Sequence, residues 1–253
     1  MAEPVLFSGI LDFTSIRVIL ALAMFASASY FDLKKREVSD LLWIVFAAAA
    51  GVLYIFDFPT SFSEGLMIIV SMGITAAAAY GIYRSGLFGG ADMLALITLS
   101  AILPVYQGSL FGIKGVSLHG LAPLIVLTNA VILSVAQVIF NVLRNLVYYS
   151  KHSGKLFEGL HDEPASRKFF AMVIGHRSQN PQFAFPIEKV VGGKREFDFA
   201  LRDAETAEYE SKKDVWVTSG TPFLLYFFAG FIAMIATGDL LILAFKAAGF
   251  TVH

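Results

Sequence analysis

Apolar residues in this chain fall in long runs, not in the alternation of a half-buried strand or the single stripe of a surface helix. A helix needs about 20 predominantly apolar residues to cross a hydrocarbon core. Six runs can serve: 13–31, 41–56, 65–83, 92–103, 121–149 and 215–245. The first contains Arg17, which can snorkel to the interface. The second is a little short and ends at the turn-like Asp57-Phe58-Pro59-Thr60. The third is rich in Gly, Ala and Ser, which let helices pack closely in lipid. The fourth can reach Phe111 if Pro104 is tolerated as a kink, leaving 112–120 as a loop. The fifth exceeds the length of a span, so its end should tilt or protrude into water. The sixth carries Pro222 in its first turns.

Between 150 and 214 the pattern changes. This segment holds most of the chain's charge, with Gly-Lys and Asn-Pro turn signals. Stretches 169–174, 183–191 and 196–201 have strand character; in the last, Phe197, Phe199 and Leu201 alternate with Glu196, Asp198 and Ala200. Stretch 203–213 looks helical. The pattern therefore predicts an all-α integral membrane protein with six transmembrane helices and a small α+β insert between helices 5 and 6. Residues 1–149 would hold helices 1 to 5, 150–214 the insert, and 215–253 helix 6 and the C-terminus. The insert is too short for a large core of its own.

Composition agrees with a membrane protein. Hydrophobic residues make up 57% of the 253 and charged residues 15%, with mean hydropathy +0.69. Soluble domains carry about 25% charged residues. A net charge of −1 without a long basic run implies no nucleic-acid partner. The absence of cysteine excludes disulfides, cysteine nucleophiles and thiolate metal sites. The first residues include Glu3 and lack a basic region, so a cleavable signal peptide is not expected.

Basic residues set the expected orientation. Lys34, Lys35 and Arg36 follow the first run, Arg84 the third, and Arg144 with eleven further lysines and arginines surrounds the insert. The connections after the second and fourth runs hold none and Lys114 respectively. Both termini should then lie outside the cell membrane and the insert in the cytoplasm. Lys34, Lys35 and Arg36 would also face lipid phosphates.

That topology puts two acids at one depth. Asp32 closes the first run, and Asp92 opens the fourth after Gly89-Gly90-Ala91. An aspartate at a helix end is ordinarily a cap or an interface residue. Two at the same cytoplasmic edge can instead form a pair that shares one proton, one activating water and the other protonating the substrate. Helix ends favour Asp92 as base and Asp32 as acid, whereas Lys34, Lys35 and Arg36 pull Asp32 the other way. The assignment stays open. The rival reading is a cation- or proton-coupled transporter using paired intramembrane aspartates. It expects inverted repeats and acids near the midplane, and the sequence has neither.

Residues Tyr30-Phe31-Asp32-Leu33-Lys34-Lys35-Arg36-Glu37-Val38-Ser39-Asp40 and Phe88-Gly89-Gly90-Ala91-Asp92 resemble the two signatures of the type IV prepilin peptidase family, and within it the archaeal preflagellin (archaellin) branch. The family's second signature is Gly-x-Gly-Asp; here Ala91 replaces the second glycine, a form that archaeal members often have. A softer likeness lies in Val217-Thr218-Ser219-Gly220-Thr221-Pro222-Phe223. The resemblance implies an aspartic endopeptidase with Asp32 and Asp92 as the catalytic pair, needing no metal or cofactor. Its partners would be preflagellin- or prepilin-like precursors, cut between a short basic leader and an apolar helix. Gly89, Gly90 and Ala91 would admit the substrate backbone, and Lys34, Lys35 and Arg36 are secondary candidates for substrate contact. Bacterial members that also methylate carry an N-terminal cysteine cluster, so cleavage without methyltransferase activity is expected. Presenilin and signal peptide peptidase use similar chemistry from adjacent late helices, unlike the split pair here. A resting pair held apart, closing on substrate, is a further expectation, since Arg84-Ser85-Gly86 gives the preceding loop little length. Asp239 is expected at the outer interface, and His119 and His161 as loop residues without a metal role.

Overall fold

The computed structural model describes residues 12–152, 154–181, 183–200, 212–219 and 223–250. The expected helix at 203–213 lies almost wholly outside them. The chain divides into two compact units, 1–133 with 222–253, and 134–221.

The first unit contains α1 (Phe13–Lys35), α2 (Asp40–Phe56), α3 (Phe62–Arg84), α4 (Gly90–Ile102), the hairpin β1 (Ser109–Leu110) and β2 (Ile113–Lys114), and the start of α5 (Ala122–Lys151). Of these, α1, α3 and α5 are long and apolar enough to cross a membrane, while α2 and α4 are shorter apolar helices. Their starts follow ordinary capping chemistry: the side chains of Asp12, Ser39 and Ser61 accept backbone N–H groups from Ser15, Leu41 and Glu64.

Helix α4 packs against α1, α2 and α3 and is the hub of this unit. Ala95, Leu96, Leu99 and Ile102 on it are fully buried. It stops at Ile102 and does not run through Pro104. Proline disfavours helical backbone at the preceding residue, and Leu103 is extended with φ −136° and ψ 80°. The next segment then folds back through Val105, which pairs with Leu121. Between them the hairpin turns at Phe111 and Gly112, both at positive φ (51° and 76°), the pattern of a two-residue turn matched to strand twist. The expected loop 112–120 thus contains part of a hairpin.

Arg17 does not snorkel. Its side chain is 7% exposed and donates to the Ile102 carbonyl at 3.0 Å.

The second unit holds the rest of α5, α6 (Ala165–Ile174), and strands β3 (His176–Ser178), β4 (Ala184–Pro186), β5 (Glu188–Val191), β6 (Lys194–Phe197) and β7 (Val215–Ser219). Strands β3 and β4 flank β7 in one antiparallel sheet, and β5 pairs with β6 across Gly192 and Gly193, both at positive φ. Leu156, Leu160, Ala171, Ile187, Phe197 and Trp216 form its small core. Two expectations fail here. Stretch 169–174 belongs to a helix, not a strand: Pro164 ends an extended entry, and Glu163 and Arg167 pair one turn apart at 3.2 Å. Residues 215–219 are the middle strand of a sheet, not the start of a span. Val215, Trp216 and Val217 are apolar because both faces of that strand are buried.

The last apolar run is consequently shorter. It comprises α7 (Phe223–Thr237) and α8 (Leu240–Ala247), both in the first unit, broken at Gly238 (φ 84°). Helix α7 packs on α1 and α4. It crosses α5 at Gly230, where an added Cβ would lie 2.8 Å from the Val126 carbonyl oxygen and 2.9 Å from the Ala130 nitrogen. Asn129, fully buried, donates to the Gly230 and Gly238 carbonyls at 3.2 and 2.9 Å and accepts from Leu240 N–H at 2.8 Å. It therefore ties the α7–α8 junction to α5. Asp239, expected at the outer interface, is 2% exposed and caps α8 by accepting from Leu241 N–H.

Candidate active site

Asp32 sits in the last turn of α1. That turn closes on Arg36, whose φ of 58° is left-handed and whose N–H donates to the Asp32 carbonyl at 3.0 Å. The charge of Arg36 lies within Coulombic reach of the Asp32 carboxylate. Lys34 turns away along the helix surface, donating to the Tyr30 hydroxyl at 3.2 Å and lying 5.5 Å from its ring centre. Lys35 is exposed.

Asp92 is the third residue of α4, and Gly89 is its N-cap. Glycine has no side chain with which to cap, so Asp92 supplies the contact in reverse: its Oδ2 accepts the Gly89 N–H at 3.1 Å. This fixes the carboxylate against the first turn, where the partial positive end of the helix also favours an anion. Gly90 and Ala91 form the rest of that turn, and Gly89, Gly90 and Ala91 are all half-buried.

Phe88 anchors the approach to this turn. It is buried, its ring 5.2 Å from that of Phe223 and 5.7 Å from that of Phe227 on α7. Phe227 in turn meets Phe25 of α1 at 6.3 Å. The Ser29 hydroxyl, one helical turn from Asp32, donates to the Leu224 carbonyl of α7 at 3.1 Å. One aromatic cluster on α7 therefore registers α1 and the start of α4 together, and the two carboxylates come within Coulombic reach of each other. The pattern of the sequence marks Asp32 and Asp92; it does not mark Ser29, Phe25 or Phe227, which resemble every other residue of a membrane helix.

Among the described residues, no group of three or more His, Asp or Glu side chains is arranged to hold a metal ion. His119 is a turn residue whose Nδ1 accepts Leu121 N–H at 3.0 Å.

Comparison with known proteins points in one direction. The model of the type IV leader peptidase family matches residues 19–139, a stretch that includes both Asp32 and Asp92. The preflagellin peptidase of Methanocaldococcus jannaschii is 25% identical over 226 residues, covering 85% of this chain and 91% of that protein. The preflagellin peptidase of Methanococcus maripaludis is 24% identical over 222 residues, covering 84% of this chain and 90% of that one. Matched from α1 into α5 by the family model, and along most of its length by two peptidases of that kind, the chain is similar to the type IV leader peptidase family.

Proposed function

We propose that this chain is a membrane-embedded aspartic endopeptidase that removes short basic leader peptides from preflagellin or type IV prepilin-like precursors, with Asp32 and Asp92 as its catalytic pair. One observation carries the reading: the two aspartates fall within the family-matched stretch and lie within Coulombic reach of one another, although sixty positions separate them in sequence.

The chemistry requires one ionised and one protonated carboxylate. The ionised group takes a proton from water as the water oxygen attacks the scissile carbonyl, while the other gives its proton to the carbonyl oxygen. Collapse of the resulting diol breaks the C–N bond. The first group then protonates the leaving nitrogen, the second recovers a proton from the diol, and the pair ends as it began. The half-buried first turn of α4 leaves backbone access beside Asp92, which supports Gly89, Gly90 and Ala91 as substrate neighbours.

In this reading α1 to α5 and α7 are the six membrane-crossing helices. The basic residues after α1 and in 150–214 support a cytoplasmic insert, external termini and cleavage at the cytoplasmic face. A basic leader followed by an apolar helix would present its junction there. Cleavage proceeds without methyltransferase activity. The family match weighs against a transporter.

The test is purified protein, reconstituted in lipid and incubated with a precursor that carries a basic leader. Cleavage at the leader–helix junction by wild type, lost in Asp32→Asn and in Asp92→Asn, supports the proposal. No cleavage by wild type, or undiminished cleavage by either variant, overturns it.

A further inference from the structure

Three arginines of the second unit have carboxylate partners: Arg167 with Glu163 at 3.2 Å, Arg177 with Asp214 at 2.7 Å, and Arg195 with Glu188 at 2.6 Å. Arg144 on α5 has none among the described residues, and its guanidinium lies over the Phe140 ring at 5.3 Å. Its neighbour across the fold is His176. That imidazole is 4% exposed, yet its buried Nδ1 has no hydrogen-bond partner among the described residues. Leaving such a group unsatisfied costs roughly 1–3 kcal/mol, so a ligand that pairs with it would offset that cost.

The juxtaposition of the two is built in. Asn145, fully buried and next to Arg144 on α5, donates to the Gly175 carbonyl at 2.9 Å and accepts the Arg177 N–H at 3.1 Å. It thus grips the backbone on both sides of His176. Gly175 is required for this approach, because an added Cβ would lie 2.4 Å from the Val217 carbonyl oxygen. Side chains alternate along a strand. Arg177 therefore leaves the face of β3 that carries His176 and Ser178, and meets Asp214 and the Lys155 and Leu156 carbonyls.

Two cavities, of about 270 and 390 Å³, share Arg144, His176 and Ser178 as wall. Asn180 borders the smaller; Lys151 and His152 border the larger. Among the described residues, no carboxylate lines either one. The larger also opens along Phe140, Leu143 and Val147, exposed apolar residues of α5.

We propose that Arg144 and His176 form a binding site for a phosphate group, either inorganic phosphate or the phosphate of a lipid headgroup. The guanidinium supplies charge and paired donors matched to phosphate oxygens, and the imidazole Nδ1 supplies a donor from within the fold. Burial and the nearby Arg144 charge hold His176 down to about 4, so a neutral ring stands beside a cation that has no carboxylate partner among the described residues. A phosphate between them satisfies both. The apolar approach along α5 suits a lipid whose tails remain against the helix. This site is independent of the peptidase reading.

Full-length protein, delipidated in a non-ionic detergent, tests the proposal through its thermal unfolding midpoint. It is titrated with inorganic phosphate, with a short-chain phosphatidic acid, and with chloride at matched ionic strength. The expected result is a saturable rise with at least one phosphate probe, none with chloride, and affinity about tenfold or more weaker in Arg144→Gln and in His176→Asn. Saturation by the lipid alone identifies a headgroup site, and saturation by both identifies a phosphate site open to either source. Arg144→Gln changes an exposed side chain and is expected to fold. No saturable response in wild type, or unchanged affinity in Arg144→Gln, overturns the proposal.

Discussion

The Arg17 guanidinium donates to the Ile102 carbonyl at 3.0 Å, so a residue near the start of α1 closes the far end of α4. The last carbonyls of a helix have no partner within it, and a cation there also meets the negative end of the helix dipole. The same guanidinium reaches Asp57 at 3.3 Å and lies 4.2 Å from the Tyr54 ring centre, which links α1, α2 and α4. Because α4 carries Asp92 at its opposite end, the first prediction concerns Arg17. Arg17→Met should cost about 2 kcal/mol, in the range of buried hydrogen bonds to a charged group. It should also lower cleavage while both aspartates remain. Thermal unfolding and leader cleavage measured together check this; unchanged stability would remove Arg17 from its role as a helix stop.

Asp92 has a structural task beside its proposed chemical one, and two substitutions separate them. In Asp92→Asn the amide oxygen can still accept the Gly89 N–H, so stability should be near wild type while cleavage is lost. Asp92→Ala loses cleavage and should also be about 1 kcal/mol less stable, the usual cost of a missing cap. Equal stability of the two variants would show that the Gly89 contact contributes nothing.

Gly230 and Gly51 form a matched pair for packing. At Gly230 an added methyl meets backbone of α5 at 2.8 and 2.9 Å, whereas at Gly51 it meets nothing within 4 Å. Gly230→Ala should therefore destabilise by about 1–3 kcal/mol, since backbone must move. Gly51→Ala should be neutral, or stabilising by up to about 1 kcal/mol through helix propensity. Unfolding in detergent reads both, and the reverse order would contradict the close α5–α7 crossing.

Acid should weaken the second unit through Asp214. Its carboxylate accepts from Arg177 at 2.8 and 2.7 Å and from the Tyr148 hydroxyl at 2.6 Å. The Arg177 hydrogen bonds, foremost, hold its pKa below the ordinary carboxylate value. A group depressed on folding contributes its full stabilisation above its unfolded pKa, about 3.9. That contribution is lost as pH falls through the lower folded value. Asp214→Asn should thus be less stable than wild type at neutral pH, and the gap should close at acid pH. A gap that stayed constant with pH would rule out the ionised pair as its source.

Much of this was legible in the chain itself. Long apolar runs locate α1, α2, α3 and α5 because a membrane-crossing helix is apolar on nearly every side, and that signal survives without knowledge of neighbours. Asp32 and Asp92 stand out for the same reason, as carboxylates at the ends of such runs.

Tertiary structure decided the rest. An apolar stretch such as Val215-Trp216-Val217 reads alike whether lipid or a flanking strand covers it, and only β3 and β4 on either side make it a sheet. Pro104 could have bent a helix or ended one; the fold-back through Val105 and Leu121 ended it. Arg17 could have reached water, but the open end of α4 gave it a buried acceptor. Sequence thus determined which segments avoid water and which acids are costly among them. What each costly group finds near it, from the Ile102 carbonyl at Arg17 to the Coulombic reach between Asp32 and Asp92, depends on distances between helices that no local pattern contains.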